Sequence, residues 1–122
     1  MKFKTLLLFS TLLLSFSVLA GDWSDYKKFS GSYIIYGGEL GDISPPKSGD
    51  KKIAIQLDKK ISKEIFDSIG PDLTGSEVCV ANPKDRYRKK GNVECIRSHD
   101  GGYSCTFGFD LTTGKSIIGS IC

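Results

Sequence analysis

Four cysteines, Cys79, Cys95, Cys105 and Cys122, stand in the last 44 residues of a 122-residue chain, and none precedes them. An even set in a short chain reads as a framework of cross-links. The spacings of 16, 10 and 17 residues contain no close pair of thiols, and the only histidine is His99. Zinc sites are built from closely spaced Cys and His ligands, so two disulfides and no metal are expected. Bridges of this kind add about 2–4 kcal/mol each to a domain too small for a deep core. They imply folding in an oxidising compartment. Bonded cysteines also leave no thiol to serve as a nucleophile.

The other end of the chain points to the same compartment. Lys2 and Lys4 precede an apolar run from Leu6 to Phe16, and Val18-Leu19-Ala20 places tolerated side chains before a cleavage point at Gly21. That is the layout of a secretory signal peptide, with an apolar stretch of about 10 residues, too short to span a bilayer. Residues 1–20 are read as the signal and 21–122 as one small exported domain. The residue after the cut is Gly21 and not cysteine, so no lipid anchor is expected, and the short apolar stretch argues against a stable membrane anchor. Without Lys2 and Lys4 the domain has 15 basic and 14 acidic residues. So balanced a charge gives no global argument for nucleic acid or a membrane surface as partner, and nucleic acid is not expected.

Within the domain, Trp23, Tyr26 and Phe29 recur every third residue, as on one helical turn or as aromatic plugs on a lead-in strand. Ser30–Leu40 holds the β-formers Tyr33, Ile34, Ile35 and Tyr36 between glycines and reads as a strand. Residues 41–50, with Pro45-Pro46 and Gly49, read as a loop. Lys52–Leu57 alternates apolar and polar, a half-buried strand. The period then changes: Ile61, Ile65, Phe66 and Ile69 form one helical stripe, with Asp58 as N-cap and Gly70-Pro71 as stop. Strands are expected at Asp85–Lys89 and Asn92–Ser98 around a tight turn at Lys90-Gly91. A further strand, Tyr103–Asp110, follows the Asp100-Gly101 hairpin signal, and a last runs over Ser116–Cys122. The expected class is α+β, an antiparallel β-sheet meander with one packed α-helix, stapled by two disulfides. If the last two strands pair about the 112–114 turn, Cys105 comes near residues 120–122. That favours Cys105–Cys122 and Cys79–Cys95, with the other pairings left open.

Residue patterns that carry chemistry are scarce. His99 sits in the presumed turn without a visible nucleophile, and no G-x-S-x-G, P-loop or H-E-x-x-H occurs. No catalytic residue and no cofactor is therefore assigned. The local charge feature is Lys84-Asp85-Arg86-Tyr87-Arg88-Lys89-Lys90, five basic residues in seven. Arg86 and Arg88 would share a strand face, and such a run suits an edge strand guarded by charge. It equally suits a patch for an acidic partner, the acid-lined cleft of a hydrolase or anionic envelope lipid, with Tyr87 as anchor and the His99–Gly102 turn as a second projection. Arg86, Tyr87, Arg88, Lys89 and His99 are the partner-contact candidates.

At Tyr103-Ser104-Cys105-Thr106-Phe107-Gly108 the chain reads Y-x-C-x-x-G. This resembles a short motif of the small periplasmic lysozyme inhibitors of Gram-negative bacteria, though there it lies on an early strand. In general design, an exported and disulfide-bonded β-rich domain, the chain is also similar to periplasmic immunity proteins that neutralise type VI secretion effectors. These resemblances imply a periplasmic inhibitor whose partner is a cell-wall-degrading hydrolase. The competing expectation is a small envelope enzyme or ligand-binding protein. The oligomeric state is left open, a homodimer included.

Overall fold

The alternating segment Tyr103–Asp110 lies at the centre of the molecule. In a computed structural model, which describes residues 22–122, this strand carries neighbours on both edges. Strands in chain order are β1 (Gly31–Glu39), β2 (Asp42–Ser44), β3 (Lys52–Asp58), β4 (Arg86–Lys90), β5 (Val93–Arg97), β6 (Tyr103–Asp110) and β7 (Ser116–Ile117). One α-helix, α1 (Lys59–Ser68), follows β3. All strand pairs are antiparallel, in the order β2-β1-β3-β6-β5-β4, with β7 also on β6. The class is α+β, as the residue patterns imply. Only β4, β5 and β6 lie side by side in chain order as a meander does; β1 stands between β2 and β3, and β3 lies directly against β6. The signal peptide expected over residues 1–20 lies outside the described residues.

Three boundaries differ from expectation. Residues 42–44, expected as loop, form a short strand because the Leu40-Gly41 turn folds them back on Gly37–Glu39. The two-residue turn after β4 is Gly91-Asn92, since Lys90 pairs with Val93 and Gly91 takes the left-handed position at φ 56°. The last strand stops at Ile117. The edge of β6 that it follows is shared: β7 lies beside Gly108 and Phe109, whereas β5 already occupies Tyr103–Thr106.

That sharing overturns the expected disulfide pairing. β5 sets Cys95 directly opposite Cys105, and these two bond. The tail cannot reach Cys105; it lifts off the edge and bonds to Cys79 through Cys122. All four cysteines are thus paired, as Cys79–Cys122 and Cys95–Cys105.

The helix packs by its apolar stripe. Leu57, Phe66, Cys95 and Cys105 form the core, with Ile55, Ile61, Ile65, Ile69, Tyr103 and Phe107 around them. The Phe66 ring meets Tyr103 edge-on at 5.4 Å. Asp58 has the extended backbone of an N-cap but makes no side-chain capping bond. Ser62, on the same buried side, has no exposed surface. Its hydroxyl donates to Leu57 O at 2.7 Å and accepts the Cys105 N–H at 3.1 Å, tying the helix to two strands at once.

No helix covers the opposite face of the sheet. The loop after α1 and the tail from Ile117 lie over it, and Cys79–Cys122 clasps them together. Gly119 passes so close to the Phe107 backbone that a Cβ there would strike it. Among the described residues, no helix is long and apolar enough to cross a membrane.

Candidate functional site

Alternation along β4 places Arg86 and Arg88 on the helix face of the sheet and Tyr87 and Lys89 on the other. The helix face here is occupied. Arg88 donates to Asp72 Oδ1 at 2.7 Å and to Phe66 O at 2.7 Å, with its guanidinium over the Phe66 ring at 4.2 Å. Arg86 takes the other carboxylate oxygen of Asp72 at 2.7 Å. The paired guanidinium groups of Arg86 and Arg88 hold the Asp72 carboxyl below the usual carboxylate range. The arginines therefore fasten the end of α1 and the chain after it, so Arg88 does not offer its charge to solvent.

Tyr87, expected as an interface anchor, points inward instead and is 3% exposed. Its hydroxyl donates to Glu94 Oε1 at 2.5 Å, and the Ser120 hydroxyl donates to Glu94 Oε2 at 2.6 Å. Burial, reinforced by the Glu94 bond, pushes the Tyr87 phenol far above its ordinary range. Lys89 lies 3.9 Å from Glu94 Oε1. His99 is exposed, and Asp85 Oδ1 contacts its Nδ1 at 2.9 Å and accepts its backbone N–H at 2.8 Å. The His99 ring and backbone keep the Asp85 carboxyl below its ordinary range. The five expected contact residues thus do not converge: two brace the helix, two face the other side of the sheet, and His99 pins the hairpin end.

What the structure does bring together lies outside those five residues. The registers put Tyr33, Ile55 and Phe107 in one cross-strand row and Ile35, Ile53 and Phe109 in the next. Both rows lie on the helix face, because they share the alternation of Leu57 and Cys105. Leu111, bonded through its N–H to Lys51 O, continues that side. Yet α1, about 15 Å long, covers only the end of the face near Tyr103, Cys95 and Cys105. Tyr33 is 71% exposed, Ile35 41% and Phe109 38%. Ile53, Ile55 and Phe107 are half-buried between them. Contiguous apolar surface is the kind of feature from which interaction sites are built.

A second concavity lies on the clasped face. Its floor is Tyr87, Glu94, Ile96, Ser104 and Thr106, and its walls are Val78–Ala81 and Ser120–Cys122, enclosing about 430 Å³. Hydroxyls and one carboxylate converge there among aliphatic side chains, a lining suited to a small molecule.

Trp23, Tyr26 and Phe29 belong to neither surface. After a short 3-10 turn at Asp22–Ser24 the chain runs without a ladder to Gly31, and these rings are 85%, 108% and 63% exposed. Comparison with models of protein families, with curated proteins and with solved structures finds no match to this chain.

Proposed function

We propose that this chain is an exported binding protein that works by occupying a partner protein's surface, and that the partner is a cell-wall-degrading enzyme. It would serve as a periplasmic inhibitor or as an immunity protein against a type VI secretion effector. The observation that carries the reading is the pair of open apolar rows, Tyr33–Ile55–Phe107 and Ile35–Ile53–Phe109. They sit on a sheet cross-linked by Cys95–Cys105, with Cys79–Cys122 clasping the segments over its other face. A surface fixed in advance loses little entropy on association, which is what a tight inhibitor requires. The contact moves from the basic strand to the sheet face, because Arg88 and Tyr87 are engaged internally.

The test is capture of peptidoglycan hydrolases from periplasmic extract on the immobilised protein, with inhibition measured on the captured enzyme. Tyr33→Ser combined with Phe109→Ser should keep the fold and lose capture. Undiminished capture by that variant would remove the open face from the interface.

The 430 Å³ groove supports a second reading, a ligand-binding protein or small envelope enzyme. Thr106→Phe would fill the groove floor and leave the open rows untouched. Loss of function in that variant alone would favour the second reading.

A further inference from the structure

The two outer edges of the sheet are built differently. β4 forms one and carries Arg86, Arg88, Lys89 and Lys90, and Tyr87 O also accepts the N–H of Leu73. Charge and a covering loop are two of the ways in which proteins keep an edge from pairing with another chain. β1 forms the other edge. Its outer side is joined by β2 only at Gly37–Glu39, so Gly31–Tyr36 has no strand beyond it among the described residues. From Ser30 to Gly38 there is neither a charge nor a proline.

The phase of the ladder shows which groups this leaves free. Asp58 donates its N–H to Ser30 O at 3.0 Å, which makes 30 and 58 a hydrogen-bonded pair. In an antiparallel ladder such pairs alternate, so Ser32, Ile34 and Tyr36 bond to Gln56, Ala54 and Lys52. The N–H and C=O groups of Gly31, Tyr33 and Ile35 then point away from the sheet. Gly37 and Glu39, next in that series, are where β2 joins.

We propose that the free edge of β1 pairs with β1 of a second copy, antiparallel, about a two-fold axis at Tyr33. In that register Tyr33 lies opposite its symmetry mate and Gly31 opposite Ile35, so all three outward residues of each strand find partners together. The start of β2 at Gly37 bounds the ladder. The ends of the strand favour the same arrangement. Lys27 and Lys28 precede it, and Glu39 and Asp42 follow. An antiparallel pair sets each basic end against the acidic end of the other copy, whereas a parallel pair would set like against like. A two-fold interface is self-complementary in this way. It would also join the open rows of both copies into one surface. The proposal does not depend on the identity of any partner enzyme.

Sedimentation of the exported protein alone, from about 1 to about 200 µM, reads the association directly, since dimer formation follows mass action. The expected result is a dimer that grows with concentration. Backbone amide exchange should slow at Tyr33 and Ile35 over that range and stay slow throughout at Ser32 and Ile34. Tyr33→Pro removes an outward N–H without touching the bonds to β3, and should sediment as monomer with native circular dichroism. Glu39→Lys, on an exposed side chain, supplies a variant that does not stress the strand. It should weaken the dimer about tenfold, and Lys27→Glu with Lys28→Glu added to it should restore much of the loss. A monomer at every concentration with fast exchange at Tyr33 and Ile35 would overturn the proposal. So would a dimer indifferent to both Tyr33→Pro and Glu39→Lys.

Discussion

The two halves of the helix-bearing face are made of the same material and end in different states. Near Tyr103, the row Leu57–Cys105–Cys95 lies under α1 and is sealed, with Phe66 only 1% exposed. Two rows further along, Ile35, Ile53 and Phe109 follow the same alternation on the same strands and meet solvent. Strand pattern decides which way a side chain points; what lies above it decides whether it is buried. The sealed half is where burial stabilises the fold, and the open half is left to solvent.

That division breaks if the sealed half tolerates truncation. Phe66→Ala should cost about 3–5 kcal/mol, because the ring fills the space between Tyr103, Leu57 and the arginines. An unchanged midpoint in urea unfolding would mean that the helix contributes no more than the open rows do. Removing the clasp on the opposite face, Cys79→Ser with Cys122→Ser, should cost about 2–4 kcal/mol, since the bridge closes a long loop in the unfolded chain. A far smaller loss would place nearly all of the stability under α1.

Asp72→Asn comes next, at about 1 kcal/mol, because the Arg86 and Arg88 pairs are partly screened by solvent. Here pH sharpens the comparison. Asp72 titrates lower in the folded protein than in the unfolded chain. Its contribution is therefore complete at neutral pH and is lost as the pH falls below about 4, through the folded value. The Asn variant should be less stable at neutral pH and lose less on acidification, as read from melting temperatures between neutral and acid pH. The smallest effect belongs to the open half. Phe109→Ala should shift stability by less than about 1 kcal/mol. A loss approaching that of Phe66→Ala would show that the open rows are covered in solution, as dimer formation that buried them would bring about.

Much of the architecture could be read from local pattern. Alternation over Tyr103–Asp110 gave β6 its bounds, and Ile61, Ile65, Phe66 and Ile69 gave α1 its buried stripe. The disulfide pairing could not be read that way. It depends on β5 and β7 sharing one edge of β6, and only the assembled sheet shows this. The roles of Arg86 and Arg88 were hidden for a similar reason. Their common face was legible, but the acid that claims them, Asp72, comes from a loop fourteen and sixteen residues earlier. The open rows left a fainter signal. Ten helical residues are too few to roof a sheet six strands wide, and that arithmetic needs only the element lengths.

Ser62 gives the molecule a particular order of coming apart. Its hydroxyl belongs at once to the helix and to the β3–β6 ladder, holding Leu57 O and the Cys105 N–H together. Lifting the helix away breaks both of these bonds at once. Helix and central strands are thereby coupled, so that opening one loosens the other. The stretch from Asp22 to Ser30 and the tips of the hairpins are outside that bond and can loosen alone. A single buried serine thus marks where the layer of helix and the layer of sheet become one body.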